Sequence, residues 1–137
     1  KNSLVLVYRH FPLDIHPKAR KEAEATECAQ DLGQPEDFWK FVDKIFEVTP
    51  SNNGLNPDEL PKLAVQIGLN ESRFKDCLAT GKFTQKIQED YDQGVKAGVS
   101  ATPSSVIIDT KTGKTKTITG AVQVGQIKSV IDSMLKE

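Results

Sequence analysis

The sequence contains no Cys-x-x-Cys pair, no initiator methionine and no apolar run approaching the ~20 residues that a membrane-spanning helix requires. It has two cysteines in 137 residues, Cys28 and Cys77, and neither opens a helix after a strand. Neither charge sign dominates: 18 Lys and Arg are scattered among 19 Asp and Glu, for a net charge of −1. These absences exclude a basic nucleic-acid surface and membrane insertion, and they leave no closely spaced thiol pair for dithiol chemistry. The two histidines and two cysteines, His10, His16, Cys28 and Cys77, match no metal-ligand spacing, so no metal is expected, and no cofactor motif is present. With neither signal peptide nor Met at the front, and a start almost inside a strand, the chain reads as an excised or processed piece. At 37% hydrophobic and 27% charged, it suits one compact domain, 1–137, with a genuine core.

What is present is strand, then helices, then hairpin, then helix. Ser3 to Tyr8 reads as a buried strand, because Leu4-Val5-Leu6-Val7 runs without alternation. Arg9-His10-Phe11-Pro12-Leu13 leaves the sheet; His10 could tune a nearby thiolate, or be an ordinary surface or core histidine. Pro17 suits the first turn of a helix through about Asp31, closed by Gly33, with Ala19, Ala23, Cys28 and Leu32 inward. Asp37 caps or opens a helix over 38–47, whose Phe38, Trp39, Val42, Ile45 and Phe46 form an apolar stripe.

Thr49 to Asn56 is a surface loop, and Pro57-Asp58-Glu59 starts a short helix stopped by Gly68. Asn70 caps another helix ending near Gly81, and from Phe83 a longer one carries Ile87, Tyr91 and Val95 at four-residue spacing to Gly98. Val106-Ile107-Ile108 and Lys116-Thr117-Ile118-Thr119, joined through Gly113, read as a β-hairpin. A final helix carries Ile127, Val130, Ile131, Met134 and Leu135. The parts divide as 1–16 (first strand and exit), 17–98 (helices) and 99–137 (loop, hairpin and last helix).

Gly98-Val99-Ser100-Ala101-Thr102-Pro103, followed by small residues and Val-Ile-Ile, organises the chain. Proline removes a ladder hydrogen bond, so Pro103 belongs at the mouth of the strand it precedes. This loop resembles the cis-proline loop of the DsbA-like family of the thioredoxin superfamily. Leu4 to Leu13, His16-Pro17, Cys28-Ala29, Phe38-Trp39, Gly68-Leu69, Phe74, Cys77-Leu78, Gly81 and Gly120-Ala121 follow the same family in order and spacing.

The resemblance implies an α/β thioredoxin-like fold with an all-helical insertion, and a cis Thr102–Pro103 bond. It implies that Ala101, Thr102 and Pro103 hold the extended backbone of protein or peptide thiols and disulfides, and that Cys28 and Cys77 form a structural disulfide in a periplasmic or otherwise extracytoplasmic compartment. The bare residues leave open two buried thiols that never meet. Ala101 stands where the family often has glycine.

Family enzymes carry a Cys-x-x-Cys helix ahead of the strand that opens this chain, so the resemblance also implies that the N-terminal βα unit is absent. The chain is then expected to fold poorly alone, its open sheet edges met by the missing segment of on the order of 30 residues or more, or by a swapped protomer. Two functions follow. One is a fragment of a thiol-disulfide oxidoreductase without its own redox-active pair, inactive alone; the other is a redox-inactive peptide- or protein-binding module.

Overall fold

A computed structural model describes residues 4–50 and 52–136. Its elements in order are α1 (Ala19–Leu32), α2 (Pro35–Val48), α3 (Leu60–Gln66), α4 (Glu71–Thr80), α5 (Thr84–Lys96), β1 (Ser104–Ile108), β2 (Thr115–Thr119) and α6 (Val124–Met134). Single 3₁₀ turns at Asn52–Gly54 and Pro57–Glu59 lie between α2 and α3. The chain divides into two compact units, one up to Gln93 and one from Gly94 onward.

In the first unit the core is helical. Ala25, Cys28 and Ala29 of α1 meet Phe41 of α2, Leu60, Leu63 and Ala64 of α3, Phe74 and Cys77 of α4, and Leu55 from the preceding loop. The Phe41 and Phe74 rings lie 5.2 Å apart at its centre. Cys28 and Cys77, both buried, are bonded to each other and tie α1 to α4.

Helix boundaries follow from local chemistry. Gly33 ends α1, and a Cβ there would sit 2.1 Å from the Asp37 carboxylate, so any side chain would have to push Asp37 aside. Asp37 uses that space to accept the Gln34 N–H at 2.7 Å, closing the first turn of α2 behind Pro35. The Asn70 side chain accepts from Arg73 N–H at the start of α4. Gly81 ends that helix in the left-handed conformation, φ +62°.

Several sequence expectations need correction. The strand at Ser3–Tyr8 is not formed over its described residues: no ladder includes Leu4 to Tyr8, and Leu4, Val5, Leu6 and Val7 are 65–79% exposed. A strand exists only through a partner's hydrogen bonds, and none of the described residues provides one. Ser3 itself lies outside them. The stripe of α2 is turned: Phe38, Phe41 and Val42 are buried, whereas Trp39 is 40% and Phe46 72% exposed. Positions 38, 41, 42 and 45 fall on one side at helical spacing, and 39 and 46 fall on its flank. Val95 of α5 and Leu135 are exposed, and the loop at 49–56 contains a helical turn.

The second unit is the hairpin with α6. Its antiparallel register pairs Ser104 with Thr119, Val106 with Thr117 and Ile108 with Thr115. The Asp109 carboxylate accepts from Lys111 N–H and from the Thr112 hydroxyl, and Gly113 at φ +73° completes the turn. Ile107 and Ile118 face one way and are partly covered; Val106 and Ile108 face the other and are exposed. The β1 strand therefore shows an open face, having β2 as its single partner among the described residues.

Closing a loop between positions 49 apart, the disulfide removes chain entropy from the unfolded state worth about 4 kcal/mol. Thermal unfolding of the Cys28→Ala/Cys77→Ala protein, set against the unreduced chain, is expected to show a loss approaching that figure; an unchanged midpoint would remove the bond from the stability of the first unit.

Candidate functional site

The Pro103 loop is built by what precedes and follows it. Helix α5 closes with Gly98 N–H on Val95 and Val99 N–H on Gly94, and Gly98 at φ +80° turns the chain away. The Ser104 hydroxyl donates to the Ala101 carbonyl at 2.7 Å, and Gly120 N–H donates to the Pro103 carbonyl at 2.8 Å. These bonds fix both ends of the triplet. The Thr102–Pro103 bond is cis. Thr102 and Pro103 are exposed, Ala101 partly so, and among the described residues neither the N–H nor the C=O of Thr102 has a backbone partner. The loop thus offers an unpaired peptide edge at the mouth of β1.

The other sequence-selected residues lie in the first unit. Cys28 and Cys77 are joined and occupied with each other. His16 stands partly buried with its Nδ1 atom unpartnered.

His10 belongs to a polar cluster that sequence reasoning did not assemble. Its Nε2 lies 3.0 Å from the Glu27 carboxylate of α1 and 3.4 Å from the Thr26 hydroxyl. Lys86 of α5 donates to the same Glu27 oxygen at 2.9 Å and to Asp90 at 3.2 Å. Asp90 also receives Arg9 at 2.8 Å and the His10 backbone N–H at 3.3 Å. Beside this cluster the Tyr8, His10 and Phe38 rings meet edge to face, and the Trp39 ring meets both Tyr8 and Phe38 in the same way.

Burial alone would raise the carboxyls of Glu27 and Asp90. For Glu27, bonds from His10 and Lys86 outweigh burial and hold it below its ordinary value; for Asp90, bonds from Arg9, the His10 N–H and Lys86 do the same. Burial likewise opposes the charge on Lys86, yet Glu27 and Asp90 raise its pKa overall. Burial raises the Tyr8 hydroxyl. Glu27, Lys86 and Asp90 escaped notice because acidic and basic residues at helical spacing read as a solvated face; their distance in sequence from His10 hides the grouping.

The match to known proteins covers nearly the whole chain. A family model described as thioredoxin matches residues 2–133. The crystal structure of Pseudomonas aeruginosa DsbA2 superposes with a TM-score of 0.77 at 29% identity, covering 96% of this chain and 71% of that one. A Nitrosomonas europaea structure provisionally assigned as a protein disulfide isomerase gives 0.64 at 20% identity, covering 86% of this chain and 58% of that one, a likeness of fold. Among curated proteins, a Na(+)/H(+) antiporter NhaA 3 of Salinispora tropica is 34% identical over 103 residues, 74% of this chain and 15% of that protein. An antiporter NhaA 1 of Salinispora arenicola is 36% identical over 99 residues, 72% of this chain and 14% of that protein. The chain thus spans about a seventh of the length of these curated relatives.

The cluster predicts an acid limit to stability. The folded-state pKa values of Glu27 and Asp90 lie below their unfolded values, so an unfolded chain takes up protons first as pH falls. Their contribution is complete above the ordinary carboxylate range of about 4 and is lost as pH drops through the folded values. Denaturant unfolding measured at steps down to about pH 3 is expected to lose stability more steeply in the unaltered chain than in Asp90→Asn. Equal slopes would place the acid sensitivity elsewhere.

Proposed function

We propose, from the premise that this chain belongs to the thioredoxin family as a DsbA-like member of its superfamily, that it is the substrate-holding part of a thiol-disulfide oxidoreductase acting on protein disulfides. In that chemistry a thiolate attacks a disulfide sulfur, one S–S bond forms as another breaks, and the leaving sulfur departs as thiolate. Ala101, Thr102 and Pro103 are the substrate-binding residues, and the exposed, unpaired backbone of Thr102 carries this reading. An extended peptide can add its own N–H and C=O groups there, as peptides do at open sheet edges.

Cys28 and Cys77 hold the fold together rather than exchange with substrate. Both sulfurs are in the core, and a nucleophilic cysteine has to be reached. The redox-active pair then comes from sequence outside these 137 residues, and the chain alone is inactive. A stable disulfide favours a periplasmic or otherwise extracytoplasmic setting. Among the described residues no helix is long and apolar enough to cross a membrane.

A second reading is favoured by the antiporter relatives, in which the matched segment is a small share of a much longer protein named for another activity. There the same loop would serve a redox-inactive domain that binds a peptide or protein partner. Counting thiols in the parent gene product before and after reduction separates the two: a further cysteine pair beyond Cys28 and Cys77 supports the oxidoreductase, and none supports the binding module. Under either reading Pro103→Ala is expected to weaken binding of an extended peptide about tenfold, close to 1.4 kcal/mol. Unchanged affinity in a fluorescence titration would take the loop out of the substrate site.

A further inference from the structure

We propose that His10, Glu27 and Asp90 form a binding site for one divalent first-row transition-metal ion, which exchanges with the Lys86 ammonium. The three residues come from three places, the segment before α1, α1 itself and α5, and each is more than nine-tenths buried, at 6%, 7% and 3% exposure. Each offers one donor atom, and the three donors lie within 4.8 Å of one another. Metal bonds of about 2.0–2.2 Å place neighbouring tetrahedral donors about 3.3 Å apart, so the pair His10 Nε2 and Glu27 Oε1, at 3.0 Å, is already near the required spacing.

The position of the ion is marked by a cation on the protein. Lys86 Nζ sits 2.9 Å from Glu27 Oε1 and 3.2 Å from Asp90 Oδ2, between the two carboxylates. Its side chain is 42% exposed, so the ammonium can return to water, whereas the carboxylates cannot. A divalent ion balances both carboxylate charges when the lysine leaves. Arg9 holds the other Asp90 oxygen, Oδ1, at 2.8 Å and so serves as the outer partner that orients a ligating carboxylate. The imidazole must present an unprotonated Nε2, which a shift of its proton to Nδ1 supplies without net change in charge.

One imidazole and two carboxylates are too few oxygens for calcium and suit zinc and its neighbours, with a position left for water. The separation of the ligands in sequence is why no spacing motif announces them.

Zinc is the probe, titrated calorimetrically into the full chain, with cobalt(II) absorption reporting the geometry. One equivalent is expected to bind. Lys86→Met, which removes the competing cation, is expected to bind at least about tenfold more tightly, and Glu27→Gln or Asp90→Asn more weakly by at least the roughly 10–100-fold that loss of a group supporting a ligand causes. Tightening on loss of a lysine is the diagnostic result, since an ion on surface groups would not register it. Absence of stoichiometric binding in both the unaltered chain and Lys86→Met would overturn the proposal and leave the cluster a complete ion-pair network. Binding that ignores Lys86→Met would also overturn it and place the ion elsewhere. Because that comparison uses variants with both carboxylates intact, it decides the matter even where Glu27→Gln fails to fold.

Discussion

The burial of α1 around most of its circumference is the constraint on which the first unit depends. From Ala23 to Ala29 every residue is buried, including Glu24, Thr26 and Glu27. A helix with water on one side leaves its polar residues to solvent; this one has to provide each with a partner. Glu24 receives Lys21 and the Thr84 hydroxyl, the Thr26 hydroxyl returns to the Ala23 carbonyl, and Glu27 receives His10 and Lys86. The placement of α5 and of the segment through His10 answers these demands, while the small residues Ala25, Cys28 and Ala29 allow the other helices to close in on the remaining sides.

Much of this was legible in the sequence, and the exceptions share a cause. The helix ends at Gly33, Asn70 and Gly81 and the hairpin around Gly113 follow from bonds made within a few residues, and those signals are local. Leu4 to Val7 has the composition of a buried strand, but burial is a relation to a partner, which composition does not contain. Trp39 and Phe46 failed as core residues for a related reason: periodicity identifies a stripe, and the neighbours decide which edge of the stripe is covered. The His10 cluster joins positions 10, 27, 86 and 90, so it could emerge only with the fold.

The two groups of functional interest therefore differ in how they are specified. The Pro103 loop is written in consecutive residues and is fixed by a local bond from Ser104 and by one from Gly120 across the hairpin. What it exposes, among the described residues, is the unpaired backbone of Thr102. The His10 cluster is written across helices and is fixed by charge.

Lys18 gives the loop between α2 and α3 an unusual dependence. Its ammonium donates to the carbonyls of Asn53 and Leu55, at 2.7 and 2.8 Å, from a position just ahead of α1. The loop thus takes part of its shape from a distant turn of the chain, beside the local cap that Asn56 gives Asp58. Acetylation of that one amine would remove the charge and two of its three donors, loosening the hold on the Asn53 and Leu55 carbonyls without touching a loop residue.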